Sequence, residues 1–267
     1  MTTLQMKRSG EMQGALWGAA ANDWATMMEP QGVSLFEAVL ADGRFTTGAA
    51  VLDIGCGSGY FAQLIVSRGC RVTGFDASEP LLQIASRRVP TAQFHRGDMQ
   101  SLPFEDATFD IVTGMNSFQY AAEPKAAFIE ARRVLKRGAQ LFAATWGLPE
   151  KCEAARYLAA IKPLLPSQPS GGSGPFALSD ENVLRSLARS AGLTPLGVKD
   201  VDVTWHFENL EVALVSMLSA GPSVLAIQTS GVDRVRKALE QAIAPFRLSN
   251  GAFRLENSFR YLVASRD

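Results

Sequence analysis

The chain reads VLDIGCGSGY from Val51 to Tyr60. The first part of this stretch is a short apolar run typical of a buried strand, and the second part places three glycines at alternate positions before a helical segment. Glycine lets the backbone turn sharply and lets a ligand approach the main chain closely. The start of the following helix adds positive potential and free N–H groups. The stretch therefore predicts a ligand site at the end of a strand.

Beyond this stretch, short apolar runs alternate with helical segments. The predicted strands cover 51–53, 71–75, 93–96, 110–114 and 140–145, and the predicted helices between them cover 60–67, 78–88 and 125–135. Strand–helix alternation is typical of a parallel sheet with helices on both faces. The sequence therefore predicts a doubly wound, Rossmann-like α/β fold.

The two ends of the chain have a different pattern. Residues 1–45 are predicted to form a helical cover, in which apolar residues recur at helical spacing up to Pro30. Residues 46–267 are predicted to form the main domain, with a helical insertion at about 208–250 between a strand at 201–207 and a last strand at 253–264. Within the insertion we predict two helices, at about 210–218 and 232–246. A segment rich in Pro, Ser and Gly, Pro163 to Pro175, predicts a surface loop.

Asp53 narrows the choice of ligand. A carboxylate beside the glycines would repel the pyrophosphate of a dinucleotide, and the spacing is G-x-G-x-G rather than G-x-G-x-x-G. The chain has no Gly-Lys-Ser/Thr, which excludes a nucleoside-triphosphate P-loop. Asp53 instead suits a ligand that carries an ammonium and a sulfonium group.

Further polar residues follow the next predicted strands. Asp76 closes the second strand, where an acid can accept both hydroxyls of a ribose. Asp98 follows the third strand, where it can accept from the exocyclic amine of adenine while Met99 packs on the ring. Each acid alone also fits a helix N-cap or a turn. Because the carboxyl ends of parallel strands meet at one sheet edge, the set predicts a nucleoside ligand there.

Residues 46–146 resemble the core of the class I S-adenosylmethionine-dependent methyltransferases, in particular the type-11 branch that includes ubiquinone- and menaquinone-biosynthesis enzymes. The matching motifs are VLDIGCGSGYFA, GFDAS, GDMQSLPFEDATFDIV and AQLFAATW. The resemblance implies a seven-stranded sheet with an antiparallel last strand and S-adenosylmethionine as the cofactor. It also implies that Gly55 and Gly57 contact the methionine part, Asp76 the ribose, and Asp98 with Met99 the adenine.

The predicted cofactor-binding residues come from all of these motifs. The full set is Asp53, Gly55, Cys56, Gly57, Gly59, Asp76, Ala77, Asp98, Met99 and Asn116. No metal site is predicted, because the three cysteines are far apart and fit neither a zinc site nor a disulfide framework.

We expect methyl transfer to a small-molecule acceptor. The chain has 26 basic and 26 acidic residues, so it lacks the basic excess of a nucleic-acid binder. The residues after the fourth strand, Asn116 to Gln119, do not match the Asn/Asp-Pro-Pro-Tyr/Phe motif of DNA amino-methyltransferases. Two alternatives stay open: a catalytically silent partner or sensor protein with this fold, and an enzyme that uses the same cofactor for other chemistry.

Four residues are candidates for handling the acceptor. Trp17 and Trp24 share one face of the N-terminal helix and are predicted to close over cofactor and acceptor, while Trp146 is predicted to line the acceptor pocket. Ordinary core packing is the alternative for all three. His206, on the polar face of its strand, is the candidate general base, and a solvent-facing histidine is the alternative.

The remaining features concern location and partners. No apolar segment of a secretory signal follows Lys7 and Arg8, and no run reaches the roughly 18 apolar residues of a membrane span. Unpaired cysteines indicate a reducing compartment. We expect a cytoplasmic protein without a membrane or nucleic-acid partner, and homodimer formation is left open.

Overall fold

A computed structural model describes residues 9–167 and 174–267 of the chain. Lys7 and Arg8, and residues 168–173 of the predicted loop, lie outside the described residues. The described strands are β1 (Ala50–Ile54), β2 (Arg71–Asp76), β3 (Gln93–Arg96), β4 (Phe109–Met115), β5 (Leu135–Trp146), β6 (Thr194–Phe207) and β7 (Phe253–Ser265).

The seven strands form one sheet in the order β3-β2-β1-β4-β5-β7-β6. The first five strands are parallel, and β7 runs antiparallel to both of its neighbours, β5 and β6. This arrangement confirms the predicted Rossmann-like sheet with an antiparallel last strand. Because β6 is antiparallel to β7, it points the same way as β5, and its carboxyl end lies at the edge where the glycine loop follows β1.

Helices cover both faces of the sheet. The described α-helices are α1 (Gly10–Gly18), α2 (Ala21–Asp23), α3 (Val33–Asp42), α4 (Tyr60–Val66), α5 (Glu79–Arg88), α6 (Pro124–Val134), α7 (Ala155–Ile161), α8 (Glu181–Ser190), α9 (Leu210–Leu218), α10 (Gly221–Ser230) and α11 (Val232–Ile243). One of the two buried apolar clusters contains residues of α3, α4, α7 and α11, and the other contains residues of α6 and α8.

The N-terminal segment is less regular than the predicted helix. It breaks between α1 and α2, and Trp24–Met28 then form a π-helix. Pro30 does not end a helix as predicted, because it lies in the first turn of a 3₁₀ helix, Glu29–Gly32, where its missing N–H costs nothing. Turns of π-helix are rare in proteins, and those that occur are often found at functional sites.

The predicted 1–45 cover contains two different parts. In α3, Leu35 and Leu40 are buried and Val39 is fully buried, in the same cluster as the residues of α4. This helix therefore packs within the body of the protein. The segment from α1 to the 3₁₀ helix lies over the carboxyl ends of the strands, where its residues line a cavity.

Three helices, α9 to α11, connect β6 to β7 and correspond to the predicted insertion. The sequence prediction missed α10, whose first residues, Gly221 and Pro222, resemble a loop signal. Pro222 lies in the first turn of the helix, where proline is tolerated. No single described helix is long and apolar enough to cross a membrane. Taken together, α9 and α10 have the necessary length and composition, but the pair is bent by 87°.

Candidate active site

A cavity lies at the carboxyl ends of β1, β2 and β4, beneath α1 and the π-helix. Nine of the ten predicted cofactor-binding residues line it, namely Asp53, Gly55, Cys56, Gly57, Asp76, Ala77, Asp98, Met99 and Asn116. Gly59 does not line it. This glycine has φ +79° at the start of α4, and a Cβ there would lie 2.9 Å from the Cβ of Ala85. Its role in the structure is close packing against α5.

Gly57 is closely packed where the glycine loop meets the cavity. Its φ of +55° is left-handed, which suits glycine. A Cβ there would lie 2.7 Å from Oε1 of Glu29, and the Gly57 N–H donates to Oδ2 of Asp76 at 2.9 Å. The loop is therefore held between an acid of the sheet and an acid of the N-terminal segment.

Asp76 is hydrogen-bonded only to main-chain groups of the described residues. Its Oδ2 accepts from Gly57, and its Oδ1 accepts from the Ser78 N–H at 2.8 Å. Burial raises the pKa of this carboxyl above its ordinary value. The Ala77 main chain adds a third hydrogen bond to this carboxyl. Because a carboxylate can accept about four hydrogen bonds, it keeps room for a ligand hydroxyl.

Asp98 has a structural role as well as a place in the cavity. Its Oδ1 accepts from the Gln100 N–H at 2.9 Å, which is a turn contact. Its Oδ2 accepts from the N–H of Gly10, the first residue of α1, at 2.8 Å. A carboxylate at a helix N-terminus is favourable because the free N–H groups there are partly positive. Asp98 therefore anchors the start of the segment that covers the cavity.

Asp53 is a buried acid without an ion-pair partner among the described residues. It is 1% exposed and accepts a hydrogen bond from Oγ1 of Thr113 at 2.7 Å. Burial raises its pKa to about 7, and the nearby charges of Glu29 and Asp76 act in the same direction. A buried carboxylate of this kind is stabilised by a positively charged ligand.

Glu29 belongs to the site although the sequence did not point to it. Its buried carboxylate accepts hydrogen bonds from the Ser58 N–H at 3.0 Å, from the Ser58 hydroxyl, and from Nη1 of Arg88 at 2.8 Å. Arg88 also donates to the carbonyls of Ser58, at 2.9 Å, and Ala25, at 3.0 Å. We call this group the Glu29–Ser58–Arg88 tether. It joins the N-terminal segment to the glycine loop and to α5.

The three predicted acceptor-handling tryptophans all line the cavity. The rings of Trp17 and Trp24 are in edge contact with their centroids 4.7 Å apart, and Trp17 also meets Tyr120 at 5.2 Å. Trp146 stacks on Phe259 at 4.4 Å. The structure therefore brings the tryptophans of the N-terminal segment and of β5 to the same cavity. Their ring contacts also contribute to packing.

His206 is placed differently from these residues. Its side chain is exposed and does not line the cavity, and its main chain exchanges two hydrogen bonds of 3.0 Å with the side chain of Gln31. Its neighbours Trp205 and Phe207, 3% and 2% exposed, occupy the inward face of β6. Strand alternation therefore turns the candidate base away from the site.

Residues 52–143 match the family model described as a methyltransferase domain. Within this segment the chain is similar to methyltransferase domains. The match confirms the predicted family and, with it, S-adenosylmethionine as the cofactor class.

Two curated relatives show how far the likeness extends. The chain is 35% identical over 131 residues to malonyl-[acyl-carrier protein] O-methyltransferase of Erwinia pyrifoliae, which covers 49% of this chain and 50% of that one. It is 30% identical over 140 residues to demethylmenaquinone methyltransferase of Renibacterium salmoninarum, covering 51% and 59%. The chain thus spans about half the length of the curated relatives it matches.

The fold likeness extends further than the sequence likeness. A protein of this fold from Bacillus halodurans C-125 superposes with a TM-score of 0.60 at 16% identity, covering 86% of this chain and 98% of that one. At this identity the likeness concerns the fold alone. The N-terminal segment and the chain after residue 143 lie outside the family match, and they supply Glu29 and most of the aromatic cavity wall.

The tether yields a prediction about stability. Replacing Glu29 with Gln keeps the shape but leaves Arg88 partly buried without its counter-charge, so we expect the free energy of unfolding to fall by about 1.5–3 kcal/mol. Urea denaturation measures this loss. Glu37→Gln, on the exposed face of α3, is the matched control and should change stability by less than about 0.5 kcal/mol. Equal stability of the two variants would show that the tether contributes nothing.

The contact between α1 and the cavity wall yields a second prediction. A Cβ on Gly14 would lie 2.2 Å from the carbonyl oxygen of Ala77, so Gly14→Ala forces α1 away from the glycine-loop side. We expect the affinity for S-adenosylhomocysteine, measured by calorimetry, to fall roughly tenfold, since overpacking costs about 1–3 kcal/mol. Ala15→Ser, at an exposed position of the same helix, should leave the affinity unchanged. If Gly14→Ala also leaves it unchanged, α1 does not help to hold the cofactor.

Proposed function

We propose that the protein is an S-adenosylmethionine-dependent methyltransferase that acts on a small-molecule acceptor by in-line methyl transfer. The main support for this proposal is the composition of the cavity. The acids and glycines of the segment that matches the family model and the aromatic residues of the surrounding segments line one cavity. A cofactor and an acceptor bound in that cavity would meet at the carboxyl edge of the sheet, where ligands of open α/β sheets bind.

The residues of the cavity fit this cofactor. The buried Asp53 carboxylate lacks a counter-ion among the described residues, which suits the positively charged methionine part beside Gly55 and Gly57. Asp76 keeps acceptor capacity beyond its main-chain hydrogen bonds, which suits a ribose hydroxyl. The family resemblance implies an adenine at Asp98 and Met99, and both residues line the cavity.

The proposed mechanism depends on alignment. When bound, S-adenosylmethionine would supply a methyl group on a positively charged sulfur. The bond from the acceptor to the methyl carbon would form as the sulfur–methyl bond breaks, which would release a neutral thioether. The chain has to hold the reacting atoms roughly 3–3.5 Å apart in line and to exclude water. Trp17 and Trp24, on the segment over the cavity, are placed to exclude water, and the tether keeps that segment closed.

No histidine base is part of this proposal. His206 lies outside the cavity lining, and its base role stays an untested prediction. The phenols of Tyr120 and Tyr157 do line the cavity, but burial raises the pKa of each far above its ordinary value, so both stay protonated near neutral pH. An acceptor that reacts without losing a proton, or that loses it to solvent, needs no base from the chain.

The relatives support methylation over the other readings. Both curated relatives are named as methyltransferases, one of malonyl-[acyl-carrier protein] and one of demethylmenaquinone. A silent cofactor-binding protein would leave every acceptor unmodified, whereas methylation adds about 14 Da to one of them. Incubation of the protein with S-adenosylmethionine and candidate acceptors, followed by mass spectrometry, separates these functions. Cofactor binding without S-adenosylhomocysteine formation or a mass increase in any acceptor would contradict the proposal.

Asp76 provides the test of the cofactor position. Asp76→Asn keeps the shape but removes the charge and one acceptor oxygen, so we expect the affinity for S-adenosylhomocysteine to fall roughly ten- to a hundredfold, the equivalent of about 1.5–3 kcal/mol. Asp106→Asn, at a 69% exposed side chain outside the cavity, is the control. An unchanged calorimetric affinity in Asp76→Asn would show that this acid serves only the loop.

Asp53 gives a prediction about pH. In the folded protein the pKa of Asp53 is about 7, above its ordinary value. At pH values between the ordinary pKa and about 7, the folded state therefore binds one proton that the unfolded state has lost, and the stability of the fold falls as the pH rises through this range. The ionised form binds a cation better, so the affinity for S-adenosylmethionine should rise roughly tenfold from pH 6 to pH 8. Calorimetry across this range measures it. This rise in affinity should be absent in Asp53→Asn. If it persists in that variant, another group causes it.

A further inference from the structure

The cavity has two halves of different chemistry. The cofactor half consists of acids and glycines that lie within the family match at 52–143. The other half, which we call the aromatic half, is built by residues outside that match, namely Trp17, Trp146, Tyr157, Trp205 and Phe259. Segments that differ among members of a fold family are the usual source of acceptor specificity, because function is set by the site and not by the fold.

The walls of the aromatic half are formed by flat, buried aromatic rings. Trp146 stacks on Phe259 and meets Trp205 edge-on at 5.5 Å, and Tyr157 lies 6.3 Å from Trp205. These four residues are between 3% and 5% exposed. Fixed aromatic faces favour ligands with rings, which gain contact area and stacking energy against them.

The aromatic half also contains a hydroxyl that can bind a ligand. The Tyr157 hydroxyl belongs to a side chain that is 3% exposed and lines the cavity, and it makes no hydrogen bond with any described residue. Because Tyr157 lines the cavity, a polar atom of a bound ligand can hydrogen-bond to this hydroxyl.

The charges of the cavity act against anions. Among the described residues that line it, the ionisable side chains other than tyrosine and cysteine are the acids Glu29, Asp53, Asp76 and Asp98, and no Lys, Arg or His joins them. An anionic acceptor would lose its hydration without gaining a counter-charge and would face like charges. The acids lie in the cofactor half or in the tether, so the aromatic half itself is uncharged.

We propose that the aromatic half binds a neutral, ring-bearing acceptor whose polar group hydrogen-bonds to the Tyr157 hydroxyl, and that it discriminates against anionic acceptors. That the occupant is the methyl acceptor rests on the proposed function. The binding preference itself follows from the walls, the Tyr157 hydroxyl and the missing positive charge, so it can be measured without turnover.

The test uses three probes of one shape on the full chain saturated with S-adenosylhomocysteine. The probes are 2-naphthamide, 2-naphthoate and 2-naphthylmethylammonium, which are neutral, anionic and cationic. We expect calorimetry to give at least roughly tenfold tighter binding of the amide than of the carboxylate. No binding of the amide, equal binding of the carboxylate, or tightest binding of the cation would each overturn the proposal.

A pair of tyrosine variants locates the contact. Tyr157→Phe should weaken amide binding roughly five- to tenfold through loss of one hydrogen bond, while the affinity for S-adenosylhomocysteine stays unchanged. Tyr261→Phe is the matched control, because its hydroxyl donates to Asp42 at 3.1 Å and it does not line the cavity. Unchanged amide affinity in Tyr157→Phe would overturn the assignment of this hydroxyl.

The two proposals fail in different ways. If S-adenosylhomocysteine does not bind the unmodified chain, the proposed function fails before any probe is added. If it binds and the carboxylate probe binds as well as the amide, the function stands and the acceptor class is wrong.

Discussion

The buried carboxylate of Glu29 is the contact on which the arrangement of the site depends. It lies between the glycine loop and Arg88, so it fixes the segment from α1 to the 3₁₀ helix over the strand ends. The absence of a side chain on Gly57 leaves room for this carboxylate, since a Cβ there would lie 2.7 Å from it. The glycine pattern therefore serves two purposes: it shapes the loop for a ligand and admits the acid that closes the cavity.

This arrangement divides the work between two parts of the chain. The segment that matches the methyltransferase family supplies acids and main-chain groups suited to a positively charged nucleoside. The segments around it supply aromatic walls, a tyrosine hydroxyl and the cover. A shared fold can in this way keep one cofactor and change its acceptor, because the residues that would select the acceptor lie outside the shared part.

The sequence predicted the elements whose signals are local. The strand at 93–96 and the helix at 210–218 have the predicted bounds, and the glycine loop and its acids were found because strand, turn and helix signals coincide there. Glu29 and Tyr157 were missed because their roles arise from contacts with residues distant in the chain. No pattern links positions 29, 58 and 88, and the π-helix before Glu29 has no recognisable sequence signal. For His206 the sequence provided two readings, and the exposed side chain agrees with strand alternation.

The central claim is that the N-terminal segment and the glycine loop form one site around S-adenosylmethionine. Hydrogen–deuterium exchange with and without this cofactor tests it most directly, because the method follows the two segments separately in the unmodified protein. We predict that the cofactor slows exchange of amides in 10–32 together with those in 55–60, over the same concentration range. Protection of the glycine loop with unchanged exchange in 10–32, or no protection of either segment, would contradict it.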